Sequence, residues 1–179
     1  MEGTASHTGG EFFRCCVRYL AEVLQVRYAA INEIVDENHT RARTIALWTG
    51  SGFIEGVEFE LAGTPCGVVV QEGFKVFADS LQTTFPESST AATLDAESYM
   101  GIDIRDNSGE ILGNFGIMDT KSMSACADVE ESILRIFAAR VAAEIERDRA
   151  QSKLRIQAQD LEMTLKELQN TQVKLLQCH

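Results

Sequence analysis

The sequence predicts an α+β fold, in which antiparallel strands lie between a helix near each end of the chain. Apolar residues recur every three or four positions near the N-terminus, and two apolar segments in the middle alternate around turn residues. The last 50 residues contain neither glycine nor proline. With 179 residues, 45% of them hydrophobic, the chain has enough apolar surface for one globular core and an additional extended element.

The first half of the chain predicts one helix and one hairpin. Residues 11–25 form an amphipathic helix because Phe13, Val17, Leu20 and Leu24 lie on one apolar stripe. RYAAINEIV and RARTIALW, separated by the polar turn DENHT, predict two antiparallel strands. The following TGSGFIEG is rich in glycine but lacks the lysine of a phosphate-binding loop, so we expect a flexible connection there.

Cys66, in the stretch LAGTPCGVVVQ, has two interpretations. Thr64 is a favourable N-cap and Pro65 suits the first helical position, which places Cys66 in the opening turn of a short helix. Unpaired N–H groups at that position would lower the pKa of the thiol and make it reactive. Alternatively, Cys66 is a small buried side chain that only packs.

The sequence of the second half of the chain predicts a strand at FKVFAD, then a loop and a second hairpin. SLQTTFPESSTAATLD reads as a long loop with a helical turn, and loops of this length are often functional. In AESYMGIDIRDNSGEILGNFGIMDT, the apolar residues alternate on both sides of the turn DNSG. Gly113 and Gly116 in the second strand indicate close approach by a packed helix or a ligand.

The C-terminal segment predicts a single helix with a coiled-coil seam. From residue 128 it is filled with strong helix formers, and a helix of about 50 residues would be about 75 Å long. Leu154, Leu161, Leu168 and Leu175 are spaced seven apart, and Leu165 takes an intervening seam position. We therefore expect a parallel homodimer held together along residues 148–179.

Charge and composition exclude several classes of function. The net charge of −11 argues against binding to nucleic acid or to an anionic membrane. No apolar run suits a signal or a membrane span, so we expect a cytoplasmic protein with a disordered leader over residues 1–9. The five cysteines lack C-x-x-C spacing and the three histidines are scattered, so we expect reduced thiols, no metal and no catalytic residue.

Residues 10–147 resemble a GAF domain of the type found in cyanobacterial hybrid sensor kinases. The matching motifs are GTPC at 63–66, FP at 85–86, AESYMGI at 96–102, SGEILGNFGIMDT at 108–120 and ILRIFAARVAAEIER at 133–147. The resemblance implies a central antiparallel sheet of five or six strands with helices on both faces. The first and last helices would cover one face, and short helices and loops would close a small-molecule pocket on the other.

The resemblance also guides the choice of ligand and output. Members of this family bind cyclic nucleotides, bilins, haem, small metabolites or no known ligand. The Cys-His pair of bilin-binding relatives occurs here only at Cys178, outside the pocket region, and the spaced Asn-Lys-Phe-Asp set of cyclic-nucleotide relatives is missing. We expect no covalently bound cofactor, and the ligand remains unknown. Asn114 stands where relatives often have histidine, and Asp103 where they usually have proline. The candidate ligand-binding residues are Cys66, Trp48, Phe77, Phe85, Tyr99 and Asn114, because aromatic walls are typical of small-molecule pockets.

Three functional hypotheses follow. In the first, the domain binds a small ligand and acts through the coiled coil on an output domain in the same chain. We expect that output to be a histidine kinase of a two-component system, with a diguanylate cyclase or phosphatase as alternatives. In the second, Cys66 is a redox switch. In the third, the domain only holds two chains together. None of the three makes the domain itself an enzyme.

Overall fold

The computed structural model describes residues 8–177 and confirms the α+β class. The elements are α1 (Thr8–Leu24), β1 (Tyr28–Ile34), β2 (Arg41–Trp48), β3 (Phe53–Ile54), β4 (Glu58–Glu60), α2 (Pro65–Glu72), β5 (Lys75–Phe77), α3 (Leu81–Thr84), α4 (Ser89–Thr93), β6 (Ser98–Arg105), β7 (Ile111–Asp119) and α5 (Asp128–Gln177). Most of the predicted disordered leader lies outside the described residues, and its last two residues belong to α1.

The strands form one antiparallel sheet in the order β3-β2-β1-β7-β6-β5, with β4 also paired to β2. Both predicted hairpins are present, as β1–β2 and β6–β7. The sheet has seven strands rather than five or six. The expectation of a flexible connection at TGSGFIEG was wrong for Phe53 and Ile54, which pair with the end of β2.

An aspartate closes the turn of each hairpin. Asp36 accepts hydrogen bonds from the backbone N–H groups of Thr40 and Arg41, at 3.0 and 2.9 Å. Asp106 does the same for Ser108 and Glu110, at 2.8 and 3.0 Å. The hydroxyls of Thr40 and Ser108 also donate to these carboxylates and are the main reason that the pKa of each is lowered.

One face of the sheet, here called the helix face, carries Ile31, Phe115 and Ile117 and is covered by α1 and by the first part of α5. All three side chains are fully buried, and the Phe115 ring lies 6.3 Å from the Phe137 ring of α5 in an edge contact. The alternation of apolar residues along β1 and β7 produces this face, because successive side chains of a strand point to opposite sides.

The other face, here called the pocket face, carries Ala30, Asn32, Asn114 and Gly116. The short helices α2, α3 and α4 cover its outer part, where Val69, Leu81 and Ala91 pack with Tyr28, Tyr99 and Met118. The segment predicted to be a loop with one helical turn contains both α3 and α4. Helices therefore lie on both faces of the sheet, as predicted.

The chain divides into two compact units, with the boundary between Glu144 and Ile145. The helix α5 begins in the first unit and ends in the second. In the second unit the predicted seam residues are half or more exposed in the single chain: Leu154, Leu161, Leu165, Leu168 and Leu175. Dimerisation along this seam stays a prediction. No helix between residues 8 and 177 combines the length and the apolar character needed to cross a bilayer.

Candidate functional site

A cavity of about 250 Å³ lies between the pocket face and the segments that cover it. Its floor consists of Ala30, Asn32, Thr44, Leu47, Tyr99, Asn114, Gly116 and Met118 from strands β1, β2, β6 and β7. The walls come from residues 59–66 and 87–91, and their exposed members, which include Glu60, Ala62 and Glu87, mark the mouth. A single water needs only about 10–15 Å³ of such space, so the cavity has room for a small organic molecule.

The N-terminus of α2 brings Cys66 to this cavity. The Thr64 hydroxyl accepts a hydrogen bond from the Gly67 N–H at 3.1 Å and donates one to the Leu61 carbonyl at 2.7 Å, and Pro65 is the first helical residue. The predicted N-cap is therefore confirmed. A Cβ on Gly67 would collide with the Leu61 carbonyl, so a glycine is needed for α2 to sit this close to the preceding turn.

A row of hydrogen-bonded side chains, here called the polar chain, crosses the cavity floor. The Thr44 hydroxyl donates to Asn32 Oδ1 at 3.0 Å, and Asn32 Nδ2 donates to Asn114 Oδ1 at 3.3 Å. Asn114 Nδ2 donates to the Tyr99 hydroxyl at 3.1 Å, which in turn donates to Cys66 Sγ at 3.7 Å. The polar chain thus links four adjacent strands to α2.

Two glycines determine the position of the Tyr99 ring. Gly101 and Gly116 face each other across β6 and β7, and a Cβ on Gly116 would lie 2.8 Å from Tyr99 Cε2. The ring therefore lies flat against the backbone, which directs its hydroxyl toward Asn114. A Cβ on Gly113 would collide with the Asn32 carbonyl. The close approach predicted at Gly113 and Gly116 is real, but the approaching groups belong to the sheet itself and not to a helix or ligand.

Burial keeps the ionisable members of the polar chain uncharged. It raises the pKa of the Cys66 thiol and raises that of the Tyr99 phenol well above its usual value. Of the two interpretations of Cys66, this favours packing, because desolvation outweighs the favourable N–H groups at the start of α2. The residues that line the cavity include two carboxylates, Glu60 and Glu87, and no lysine, arginine or histidine.

The structure brings together three of the six candidate residues, Cys66, Tyr99 and Asn114. Trp48 does not line the cavity; its ring lies 5.0 Å from that of Phe53, and Leu47 faces the cavity instead. Phe77 and Phe85 also lie outside the lining and form an edge contact at 4.9 Å beside the core.

Sequence reasoning missed Asn32 and Thr44, which complete the polar chain. Each stands beside a charged residue of its own strand, Glu33 or Arg43, so the sequence alone gave little signal that the Asn32 and Thr44 side chains are buried. Among residues 8–177, no three histidine, cysteine or acidic side chains lie close enough together to hold a metal ion. The cavity lining offers no basic side chain to the propionates of a haem, and its two side chains of an iron-binding type, Cys66 and Tyr99, are hydrogen-bonded to each other.

Several solved structures share this fold. The GAF domain of an Acinetobacter phosphoenolpyruvate-protein phosphotransferase has 16% identity over 83% of this chain and 89% of its own, with a TM-score of 0.66. The corresponding domain from Coxiella burnetii has 21% identity over 83% and 89%, with a TM-score of 0.63. The blue-light absorbing form of the Thermosynechococcus elongatus PixJ GAF domain has 12% identity over 83% and 90%, with a TM-score of 0.62.

The family comparison agrees with the fold. No curated protein matches the sequence significantly. The GAF domain model matches residues 9–145, which include the whole sheet, the cavity and the beginning of α5. The chain therefore belongs to the GAF family, whose domains are regulatory and sensory modules of signalling proteins.

Proposed function

We propose that this GAF domain binds a small molecule in the cavity and passes its state through a dimeric coiled coil to an output domain in the same chain. The output we favour is a histidine kinase of a two-component system in the cytoplasm. The observation that carries the proposal is the polar chain on the cavity floor. In this proposal the domain itself performs no catalysis.

The polar chain suits ligand recognition better than packing. Asn32, Asn114 and Tyr99 are almost completely buried, and buried polar groups are costly unless they are hydrogen-bonded. A carboxamide offers two N–H donors and two lone pairs. Asn32 and Asn114 both line the cavity, so a ligand that enters it meets carboxamides whose hydrogen bonds it can extend or exchange.

A route from the cavity to α5 exists within the first unit. Asn114 and Phe115 are neighbours in β7 with side chains on opposite faces, so Asn114 lines the cavity while Phe115 contacts Phe137 of α5. A ligand that moves Asn114 therefore also moves the side of β7 on which α5 packs. Such a ligand changes the output only if it binds more tightly to one packing arrangement of β7 and α5 than to another.

The burial of Cys66 counts against the redox hypothesis. Rapid oxidation requires an accessible thiolate, whereas Cys66, in the first turn of α2, is only partly exposed, accepts a hydrogen bond from the Tyr99 hydroxyl and has a raised pKa. The hypothesis of a purely structural module also requires the dimer. It differs from the proposal only in that no ligand binds in the cavity.

The ligand-binding part is tested by screening a library of small fragments against the isotope-labelled protein and mapping the backbone amide shifts. We expect binders to move the amides of Asn32 and Asn114, and of Phe137 in α5. Replacing Asn114 by Leu should abolish these shifts, whereas Phe53→Ala at β3 should not. A library without any binder at the cavity floor would contradict ligand sensing and favour the structural module.

The dimer is tested by replacing Leu161 and Leu168 together with Asp and measuring the mass by analytical ultracentrifugation. We expect a monomer, because four charges in a dimer would be buried in an apolar seam. The matched control replaces Met163 and Asn170 with Asp, which keeps the spacing and lies off the seam. An unchanged mass in the first variant, or a monomer in both, would show that the seam lies elsewhere.

A further inference from the structure

The charges around the cavity restrict what it can bind. Of the residues that line it, only Glu60 and Glu87 carry a charge at neutral pH, and both are exposed at the mouth. The hydrogen-bonding groups of the floor are amides, hydroxyls and a thiol. An anionic ligand would leave water without meeting any positive partner, which is strongly unfavourable.

The two carboxylates differ in their surroundings. Glu60 already has a cationic partner, the Arg41 guanidinium at 3.4 Å, which it shares with Glu58 at 3.1 Å. Glu87 makes no ion pair with any residue between 8 and 177. Its carboxylate lies over Gly63, with Oε2 only 3.0 Å from the position that a Cβ would occupy. A side chain at position 63, in the turn before α2, would therefore displace this carboxylate.

Part of the cavity floor is apolar. Ala30, Leu47 and Met118 form one region of the floor, next to the polar chain. A molecule with a positive group at the mouth could therefore place an apolar body on these three side chains and a polar end on Asn114 and Tyr99. The uncompensated negative charge lies where the ligand enters, and no part of the lining attracts an anion.

We propose that the cavity selects small organic cations, whose ammonium or amidinium group binds the Glu87 carboxylate. This inference rests on the proposed function, since it specifies the ligand class of the same site. It also separates this domain from any GAF domain whose ligand is a phosphate ester or a tetrapyrrole with propionates, because both of those ligands are anionic.

The first experiment sorts the fragment library by charge into cationic, uncharged and anionic sets of matched size, and compares the fraction of binders in each. We expect the cationic set to be the richest in binders and the anionic set to be the poorest. Anionic binders in equal or greater number would overturn the cation inference and leave ligand binding intact. The absence of binders in all three sets would instead contradict the proposed function.

The second experiment measures the affinity of the best cationic fragment for Glu87→Gln by calorimetry at low salt. We expect a loss of about two- to fivefold, the size of a charge pair at a partly solvated position. Added salt should reduce the affinity of the unmodified protein more than that of the variant. The control is Glu110→Gln, which removes an exposed carboxylate from the β6–β7 turn. Equal losses in both variants, or none in Glu87→Gln, would contradict the assignment of Glu87.

Discussion

The two faces of the sheet are built from the same strands but differ in the way they are filled. On the helix face, large apolar side chains such as Ile31, Phe115 and Ile117 fill the space against α1 and α5. On the pocket face, their neighbours in sequence are small or polar, among them Ala30, Asn32 and Gly116, and a cavity remains. The comparison indicates that the helix face provides most of the stability, while the pocket face is less tightly packed and leaves space for a ligand.

The largest effect should come from the helix face. Replacing Phe115 by Ala removes a fully buried ring and its contact with Phe137, and we expect a loss of about 3–5 kcal/mol in the free energy of unfolding. For a chain of this length, that corresponds to a fall of at least about 6 °C in Tm. Phe53→Ala, at a partly exposed ring, is the matched control and should cost far less. Similar losses in both variants would contradict the division between the faces.

A smaller effect is expected within the polar chain. Asn114→Leu keeps the size of the side chain but leaves Asn32 and Tyr99 without their partner, at a cost of about 2 kcal/mol in denaturant unfolding. The informative control is the double variant Asn32→Leu with Asn114→Leu. It should be less destabilised than the sum of the two single variants, because both partners of one hydrogen bond are then apolar. Strict additivity would show that the two amides do not interact.

The smallest effect is expected in the pH dependence of the free energy of unfolding, to which one buried thiol on each face contributes. Burial raises the pKa of Cys16, in α1 on the helix face, to about 11 and also raises that of Cys66. The unfolded chain loses these protons first, at a thiol pKa of about 8.5, so stability falls as the pH rises above that value. Each thiol contributes a slope of at most about 1.4 kcal/mol per pH unit.

The slope of the free energy of unfolding against pH is measured by urea unfolding between neutral and alkaline pH. Cys66→Ser should reduce it while leaving the fold intact, and Cys16→Ala should reduce it independently. Cys126→Ser, at an exposed thiol, is the control and should leave it unchanged. A slope that is unaffected by Cys66→Ser would mean that the thiol is not buried as described.

The sequence was sufficient for the elements whose signal is local. The stripe of α1, the alternation in both hairpins and the Thr64-Pro65 start of α2 each depend on residues within a few positions of one another. The strands β3 and β4 are only two and three residues long and form because β2 offers them an edge, which is not a local signal.

The cavity was harder to predict because its parts are distant in sequence. Asn32 and Asn114 are 82 positions apart, and their contact depends on the β1–β7 register. Trp48 lies outside the cavity lining for a related reason. The β1–β2 register shifts between Ile31 and Asn32, so that both Thr44 and Leu47 face the cavity and Trp48 is directed to the other side. Neither the register nor its shift is visible in composition or periodicity.

The close approach of Glu87 to Gly63 has a consequence for the mouth of the cavity. Gly63 has a φ of +71°, and its missing side chain leaves room for the Glu87 carboxylate, so any substitution there would strain the turn and displace that carboxylate. The position of the charge that faces an entering cation thus depends on a residue without a side chain, which the bound molecule need not touch.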